Sequence, residues 1–310
     1  MSLILDDGPF TYRDAERGGL TDRRLHELCA SGQLLRPHRG IYLPAHLDKD
    51  LDARAASFAR VLPPGAAIAR ESAAWLMGVD VRPPGRWQEP PTLECVVPLG
   101  ATRPVRPDVS AFISSLPPDD VVIIGGLPCT TPTRTALDLA RYRPRFVGLG
   151  AVDALAHAGL TSVSDLREGL ATLGGHRFVK RARQVVELCD PRAESAGESW
   201  CRLRLHEAGL PPTGVQISLC DHTGREIYRL DMGYVEEQIG VDYDGVEHHL
   251  RTPEQRRRDD ARELDVQRRF GWTLARAGSV DVLGRQPHLE GAVMGLLGIS
   301  REFRRRSWND

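Results

Sequence analysis

A multidomain α+β protein is what this sequence predicts, and three observations carry that reading. The chain has 310 residues, more than a single hydrophobic core usually spans. Its apolar share of 41% and charged share of 27% are the balance of an ordinary soluble globular protein, with enough apolar side chain for a sizeable core. Helical and strand-like segments are interleaved along it, with breaks marked by Pro and Gly and no internal repeat or low-complexity tract. The breaks divide the chain into a small N-terminal domain over 1–50, a mixed α/β middle domain over 51–190, and a C-terminal α/β core over 191–310.

The first fifty residues read as two short helices and a hairpin: "TYRDAERGG", "TDRRLHELCASG" and "QLLRPHRGIYLPA". In the second helix Thr21 is a good N-cap, Leu25 and Leu28 recur at i and i+3, and Gly32 stops it. The hairpin sets Arg36, His38 and Arg39 at a turn closed by Gly40, between the apolar pairs Leu34–Leu35 and Ile41–Tyr42. In the middle region Ala55–Val61 and Ala66–Met77 read as helices, and "TLECVVPL" and "DVVIIGGLPCTT" as strands. "TPTRTALDLARYR" reads as a helix capped by Thr131 with Pro132 in its first turn, and another helical tract runs to about Leu188. The linker "CDPRAESAG" follows. The last part reads as the helix "SAGESWCRLRLHEAGL", the strands "VQISLC", "IYRLDMGY" and "QIGVDYDG", a charged helix over Pro253–Arg269, the strand "WTLARA" and a closing helix over about Pro287–Leu297.

Composition narrows the function classes. Net charge is −1, so attraction to nucleic acid must come from local patches and not from a global basic field. The start "MSLILDDGPF" has three apolar residues and then two acids, unlike a signal peptide, and no run approaches the length of a membrane helix; a cytoplasmic location is the expectation. Six cysteines (Cys29, Cys95, Cys129, Cys189, Cys201, Cys220) show neither Cys-x-x-Cys pairs nor zinc spacing, which leaves buried thiols as the reading. Lys49 and Lys180 are the only lysines, so a site that wants a lysine has almost none to draw on.

A short helix, a glycine turn, a capped helix with Arg23 and Arg24 in its first turn, and an arginine-tipped hairpin together suit a winged helix. Its second helix can enter the major groove, where arginines reach phosphates or guanine edges, while the hairpin tip meets a neighbouring phosphate. Spacing alone leaves a plainer alternative open, a solvated arginine-bearing helix beside an ordinary hairpin, since Asp22 and Glu27 offset part of the charge. The stretch "FTYRDAERGGLTDRRLHELCASGQLLRPHRGIYLPA" resembles the N-terminal winged helix of AbiEi-type antitoxins and related bacterial regulators. "ESAAWLMGVDV" and "GLPCTTPTRTALDLARY" continue the likeness over roughly the first 140 residues. The resemblance implies DNA binding, commonly autoregulation of a toxin operon, with Arg23, Arg24, Arg36 and Arg39, beside His38 at the hairpin tip, as the DNA contacts. Arg134 and Asp138, at i and i+4, read as a structural ion pair next to Thr133.

Near the other end, "GVDYDGVEHH" places Asp242 and Asp244 at i and i+2 on a strand, so that both point to one face. Asp231, flanked by Leu230 and Met232, lies near the end of the preceding strand and can approach Asp242 if the two strands pair. A helix brings Glu198. Converging carboxylates repel one another unless a cation sits between them, and oxygen ligands suit Mg2+ or Mn2+, which can stabilise charge on a phosphodiester and lower the pKa of a bound water. Each residue also has a plainer use. Ser195-x-x-Glu198 makes a capping box, Asp244-Gly245 makes a turn, and His248 and His249 are then exposed residues after it.

In order and spacing, "ESWCRLRLHEAGLP", "YRLDMGY", "IGVDYDGVEHH" and "RRRDDARELDVQRRFGWTLARA" resemble the very-short-patch-repair-like endonucleases of the PD-(D/E)xK superfamily, over about residues 194–277. The resemblance implies a restriction-endonuclease-like core. Glu198 becomes the helix carboxylate, Asp231 and Asp242 the metal ligands, Asp244 the partner on the same strand, and His248 or His249 an auxiliary acid or base. Arg258, Asp259 and Arg262 on the long helix become supports. The chain departs from the pattern by carrying Asp242 where relatives usually have glutamate, and by lacking the superfamily lysine, whose position Asp244 takes.

Two functions follow as expectations. One is a metal-dependent endodeoxyribonuclease targeted by its winged helix. The other is a DNA-binding regulator or antitoxin with a toxin or other protein as partner, whose C-terminal domain is a scaffold; operator binding favours a homodimer. RNA processing shares the nuclease fold but lacks an aromatic single-strand platform in this sequence. The arginines of the tail "REFRRRSWND" read as a frayed, solvated terminus.

Overall fold

The computed structural model describes residues 8–48, 50–82, 92–104, 106–245, 252–301 and 303. It is an α+β chain with two compact units, Met1–Leu139 and Ala140–Asp310. Of the region expected as a middle domain over 51–190, the strands lie in the first unit and the helical stretch beyond Leu139 lies in the second.

In the first unit, β1 (Phe10–Thr11) leads into α1 (Tyr12–Arg17) and α2 (Asp22–Ala30), followed by the hairpin β2 (Leu34–His38) and β3 (Ile41–Pro44). Local chemistry fixes these boundaries. Thr11 and Asp14 close a capping box on α1, and the Thr21 side chain accepts the Arg24 N–H at the start of α2. Gly40, at φ 82°, supplies the left-handed turn between β2 and β3. The strands form a three-stranded antiparallel sheet in the order β1-β3-β2, and Phe10, Ala15, Leu20, Leu25, Leu28, Leu34 and Tyr42 make the core beneath the two helices.

The same unit holds α3 (Leu51–Ala59) and α4 (Arg70–Leu76), with a five-stranded sheet in the order β6-β5-β4-β8-β7. Its strands are β4 (Ala67–Ile68), β5 (Leu93–Pro98), β6 (Val109–Ser114), β7 (Val121–Ile124) and β8 (Leu127–Thr130). The expected helix over Ala66–Met77 is corrected here. Its first residues are a strand, because buried Ile68 sits between Cys95 and Cys129 in the sheet, and the helix begins only at Arg70. Strand β6 was not anticipated. Helix α5 (Pro132–Tyr142) starts as expected, with Arg134 N–H on Thr131 Oγ1, and Arg134 pairs with Asp138 at 2.9 Å.

The second unit begins with α6 (Arg145–His157), α7 (Val163–Thr172) and α8 (Val179–Glu187). These helices join the C-terminal unit because α6 packs on α9 (Ala196–Glu207): Phe146 meets Trp200 edge-on at 5.5 Å, and buried Asp153 pairs with Arg202. A four-stranded sheet follows in the order β12-β11-β10-β9, made of β9 (Gly214–Cys220), β10 (Glu226–Tyr234), β11 (Ile239–Asp244) and β12 (Thr273–Gly278). Strand β10 runs antiparallel to both β9 and β11, and β12 runs parallel to β11 after the crossover helix α10 (Pro253–Phe270). Strand alternation separates two cores. Val241, Ala275 and Ala277 pack with α9 and with α12 (His288–Leu296), whereas Leu274 packs with Val266 of α10. The short α11 (Ser279–Leu283) lies between β12 and α12. No described helix is long and apolar enough to cross a membrane.

Candidate functional site

The N-terminal arginines divide by what holds them. On α2, Arg23 and Arg24 share one partner, Glu27, each at 3.1 Å, with side chains 90% and 53% exposed. Both guanidiniums lie on the solvent face, since Leu25 and Leu28 take the buried one. On the hairpin, β2 loses regular register between Leu35 and His38, which puts Arg36 in the irregular stretch, and Arg36 and Arg39 are exposed. The tip is anchored. Arg39 N–H donates to Asp108 Oδ2 at 2.7 Å, and Arg106 reaches both Asp108 and the Arg39 carbonyl.

His38 departs from its expected place among DNA contacts. It is only 2% exposed, stacked at a tilt 5.6 Å from Phe58, and 3.8 Å from Asp108. Burial holds its pKa below the ordinary histidine value against the pull of Asp108. Burial works against the Asp108 carboxylate too, but Arg106 and the Arg39 N–H outweigh it and bring that carboxyl down to about 2. The sequence shows His38 beside two arginines at a turn; it cannot show that Phe58 and Asp108, distant in the chain, cover it.

The C-terminal carboxylates meet where β10 and β11 stop exchanging main-chain hydrogen bonds. The last ladder pair is Met232 with Val241. Beyond it the aspartates substitute for the backbone: Asp231 N–H donates to Asp242 Oδ1 at 3.2 Å, and Tyr243 N–H donates to Asp231 Oδ2 at 2.6 Å. The expected approach of Asp231 to Asp242 is therefore present. Asp242, 8% exposed, follows Val241 and so points to the α10 side, where Arg262 Nη1 meets its Oδ2 at 2.5 Å.

Glu198 stands in the first turn of α9, 7% exposed. Ser195 Oγ caps the Glu198 N–H at 3.2 Å, but the reciprocal half of the expected capping box is displaced. Glu198 Oε2 instead takes the Glu194 N–H at 3.0 Å and the Gln216 side-chain amide at 2.9 Å. Gln216 was missed. It sits in β9 at φ 53°, between the ladder pairs Val215–Met232 and Ile217–Leu230, at the rung facing Asp231. Its signal was the one that singled out Asp231, a polar residue between two apolar ones in a strand.

Close approach of α9 to β11 depends on Gly197, where an added Cβ would fall 1.8 Å from the Tyr243 ring. The crowding has an electrostatic consequence. Burial, then the charges of Asp242 and Glu198, push the Asp231 carboxyl up to about 7, against the Tyr243 N–H and Arg262, which favour its ionised form. Burial first, then the same three carboxylates with Glu290, also raises the pKa of the Cys201 thiol.

The remaining expected residues are less central. Asp244 is half-buried at the end of β11, in register with Gly278. Asp259 faces Arg276 at 3.8 Å, and Arg258 is exposed. His248 and His249 lie outside the described residues. Mg2+ takes six oxygens in a near-octahedral array, several of them from water, and is held by one or two carboxylates with open oxygens. Here Asp242 has Oδ1 on a backbone N–H and Oδ2 on Arg262, and Asp231 Oδ2 and Glu198 Oε2 are likewise occupied by protein donors. Among the described residues no group of three His, Cys, Asp or Glu side chains is arranged to hold a metal. In this arrangement both Asp242 oxygens are taken by protein donors.

Comparison with known proteins gives two family matches. Residues 66–188 match the family described as "AbiEi antitoxin C-terminal domain", and residues 2–45 the family "Transcriptional regulator, AbiEi antitoxin". Both support the antitoxin and regulator reading of the N-terminal part. Over 271 residues the chain is 28% identical to "Uncharacterized protein MT2308" and to "Uncharacterized protein Rv2248", from two strains of Mycobacterium tuberculosis, covering 86% of this chain and 93% of each relative. The crystal structure of the RV2827C protein from Mycobacterium tuberculosis aligns at 20% identity with a TM-score of 0.38, over 60% of this chain and 74% of that one; at that score it carries no argument.

Proposed function

We propose that this protein is a DNA-binding transcriptional regulator of the AbiEi antitoxin type, reading DNA through a winged helix formed by residues 10–44, with a toxin as its protein partner. One observation carries the reading: α2 and the β2–β3 tip hold Arg23, Arg24, Arg36 and Arg39 on solvent-facing positions of one small domain. The two AbiEi matches support it. In this geometry α2 enters the major groove and the hairpin tip meets the adjacent phosphate. The test is anisotropy titration of the full-length protein against the DNA upstream of its own gene. Binding is expected without added divalent cation. The double variant Arg36→Ala/Arg39→Ala should weaken it and flatten the salt dependence by about 0.9 log unit per phosphate contact removed. A wild-type protein that shows no binding at low salt refutes the proposal.

A metal-dependent endodeoxyribonuclease is the second reading, favoured by the convergence of Asp231, Asp242 and Glu198 on a helix, three strands, helix and strand. Arg262 on Asp242 weighs against it. Nicking of supercoiled plasmid with Mg2+ or Mn2+, abolished by Asp231→Ala, would establish it; an intact plasmid would end it.

A further inference from the structure

Asp231 and Asp242 adjoin under partial cover, with Glu198 near enough for its charge to act on Asp231, and a positive charge already stands beside them. Arg262, on α10, is held from three sides. Its Nη1 bonds Asp242 Oδ2 at 2.5 Å, its Nη2 donates to the Arg229 carbonyl at 3.1 Å, and its guanidinium lies 5.7 Å from the centre of the Tyr228 ring. Tyr228 is itself fixed to the same helix, donating its hydroxyl to Asp265 Oδ2 at 2.8 Å. A guanidinium keeps its charge at every working pH and is more weakly hydrated than an ammonium, so it suits a partly desolvated ion pair. Mg2+ sheds its water reluctantly and demands near-octahedral oxygens, which Asp242 cannot offer while both its oxygens are engaged.

We propose that Arg262 is the resident cation of the C-terminal carboxylate cluster, closing it to divalent metal, so that this domain is built and held together without one. The inference rests on the carboxylate geometry and not on the DNA-binding reading. The crossover helix thereby acts as a strap across β10 and β11, with Arg262 and Asp265 as its two fastenings.

The test is titration of the full-length protein with Mn2+ alone, followed by electron paramagnetic resonance of free Mn2+ and by thermal melting with and without about 1 mM Mn2+. The wild type is expected to take up no Mn2+ in this range and to melt at an unchanged temperature. Arg262→Met, which keeps much of the stem and removes the charge, is expected to gain at least about tenfold in Mn2+ affinity, and the further change Asp242→Asn to abolish the gain. Arg262→Gln, which retains a donor for Asp242, serves if circular dichroism shows Arg262→Met unfolded, and the same gain is expected of it. The proposal is overturned if wild-type protein binds Mn2+ and melts higher with it, or if a folded Arg262 variant shows no gain. Promoter binding by the wild type separates the outcomes: absence of DNA binding refutes the proposed function alone, and the Mn2+ result bears on Arg262 alone.

Discussion

Arg36 and Arg39 on the β2–β3 tip are exposed, whereas Arg262 on α10 is turned onto Asp242. The same side chain is displayed at one end of the chain and consumed internally at the other. The difference follows from the neighbours. In the N-terminal domain the carboxylates beside these arginines leave them displayed: Glu27 lies one turn from Arg23 and Arg24 in solvent, and Asp108 receives Arg39 through its backbone N–H. Beside the C-terminal sheet two buried carboxylates, Glu198 and Asp242, lie near the half-buried Asp231, and Arg262 is drawn onto Asp242. Displayed arginines and an internally paired one are thus built from one residue type, and burial of the neighbouring carboxylate decides which is formed.

The largest expected effect breaks the crowding that makes the C-terminal cluster distinct. Gly→Ala within a helix ordinarily stabilises. At Gly197 the new methyl meets the Tyr243 ring, so Gly197→Ala should destabilise by ~1–3 kcal/mol in urea unfolding. Adding Tyr243→Ala should recover part of that loss; additive losses would show that the two sites do not touch.

A smaller effect concerns pH. Asp231 is raised to about 7 in the fold from an ordinary 3.8, so the folded chain binds the extra proton between those values. This group's contribution to stability is therefore largest below its unfolded pKa and is lost as pH rises toward 7. Asp231→Asn, which cannot ionise and keeps an acceptor for the Tyr243 N–H, should be more stable than wild type at mildly alkaline pH by about 1–2 kcal/mol. The difference should shrink as pH falls and vanish only near the ordinary carboxyl pKa, about pH 4. A gap that widens on acidification instead would mean that the carboxylate, and not the acid, is what the fold prefers.

The smallest effect sharpens the N-terminal half of the comparison. Glu27→Gln removes the charge that Arg23 and Arg24 share, and should tighten promoter binding by about two- to threefold at low salt, with the gain fading as salt screens it. Unchanged affinity would place α2 away from the phosphates.

Most elements were legible because their signals are local. Thr21, Thr131 and Ser195 cap the helices they were expected to cap, and the strand containing Asp231 pairs with the one containing Asp242. The misses have one cause. The strand at Ala67–Ile68 looks helical in sequence, since alanines favour a helix, but the sheet partners Cys95 and Cys129 impose an extended backbone. His38 looks like a surface residue of a turn until Phe58 covers it. At the carboxylate cluster Glu198, Asp231 and Asp242 were readable as polar intrusions on amphipathic elements, while Gln216 was passed over and Arg262 was expected only as a support.

Sequence by itself determined the α+β composition, the helix caps at Thr21, Thr131 and Ser195, the hairpin turn at Gly40 and the identity of the clustered acids, because caps, glycine conformations and alternation act over a few residues. Tertiary structure alone decided that the helices after Leu139 join the C-terminal sheet, that Gly197 leaves room for the Tyr243 ring, and that Asp242 is answered by Arg262. Those outcomes depend on register and burial between segments far apart in the chain, and charge pairing in particular depends on which carboxylates lose their water, which packing alone settles.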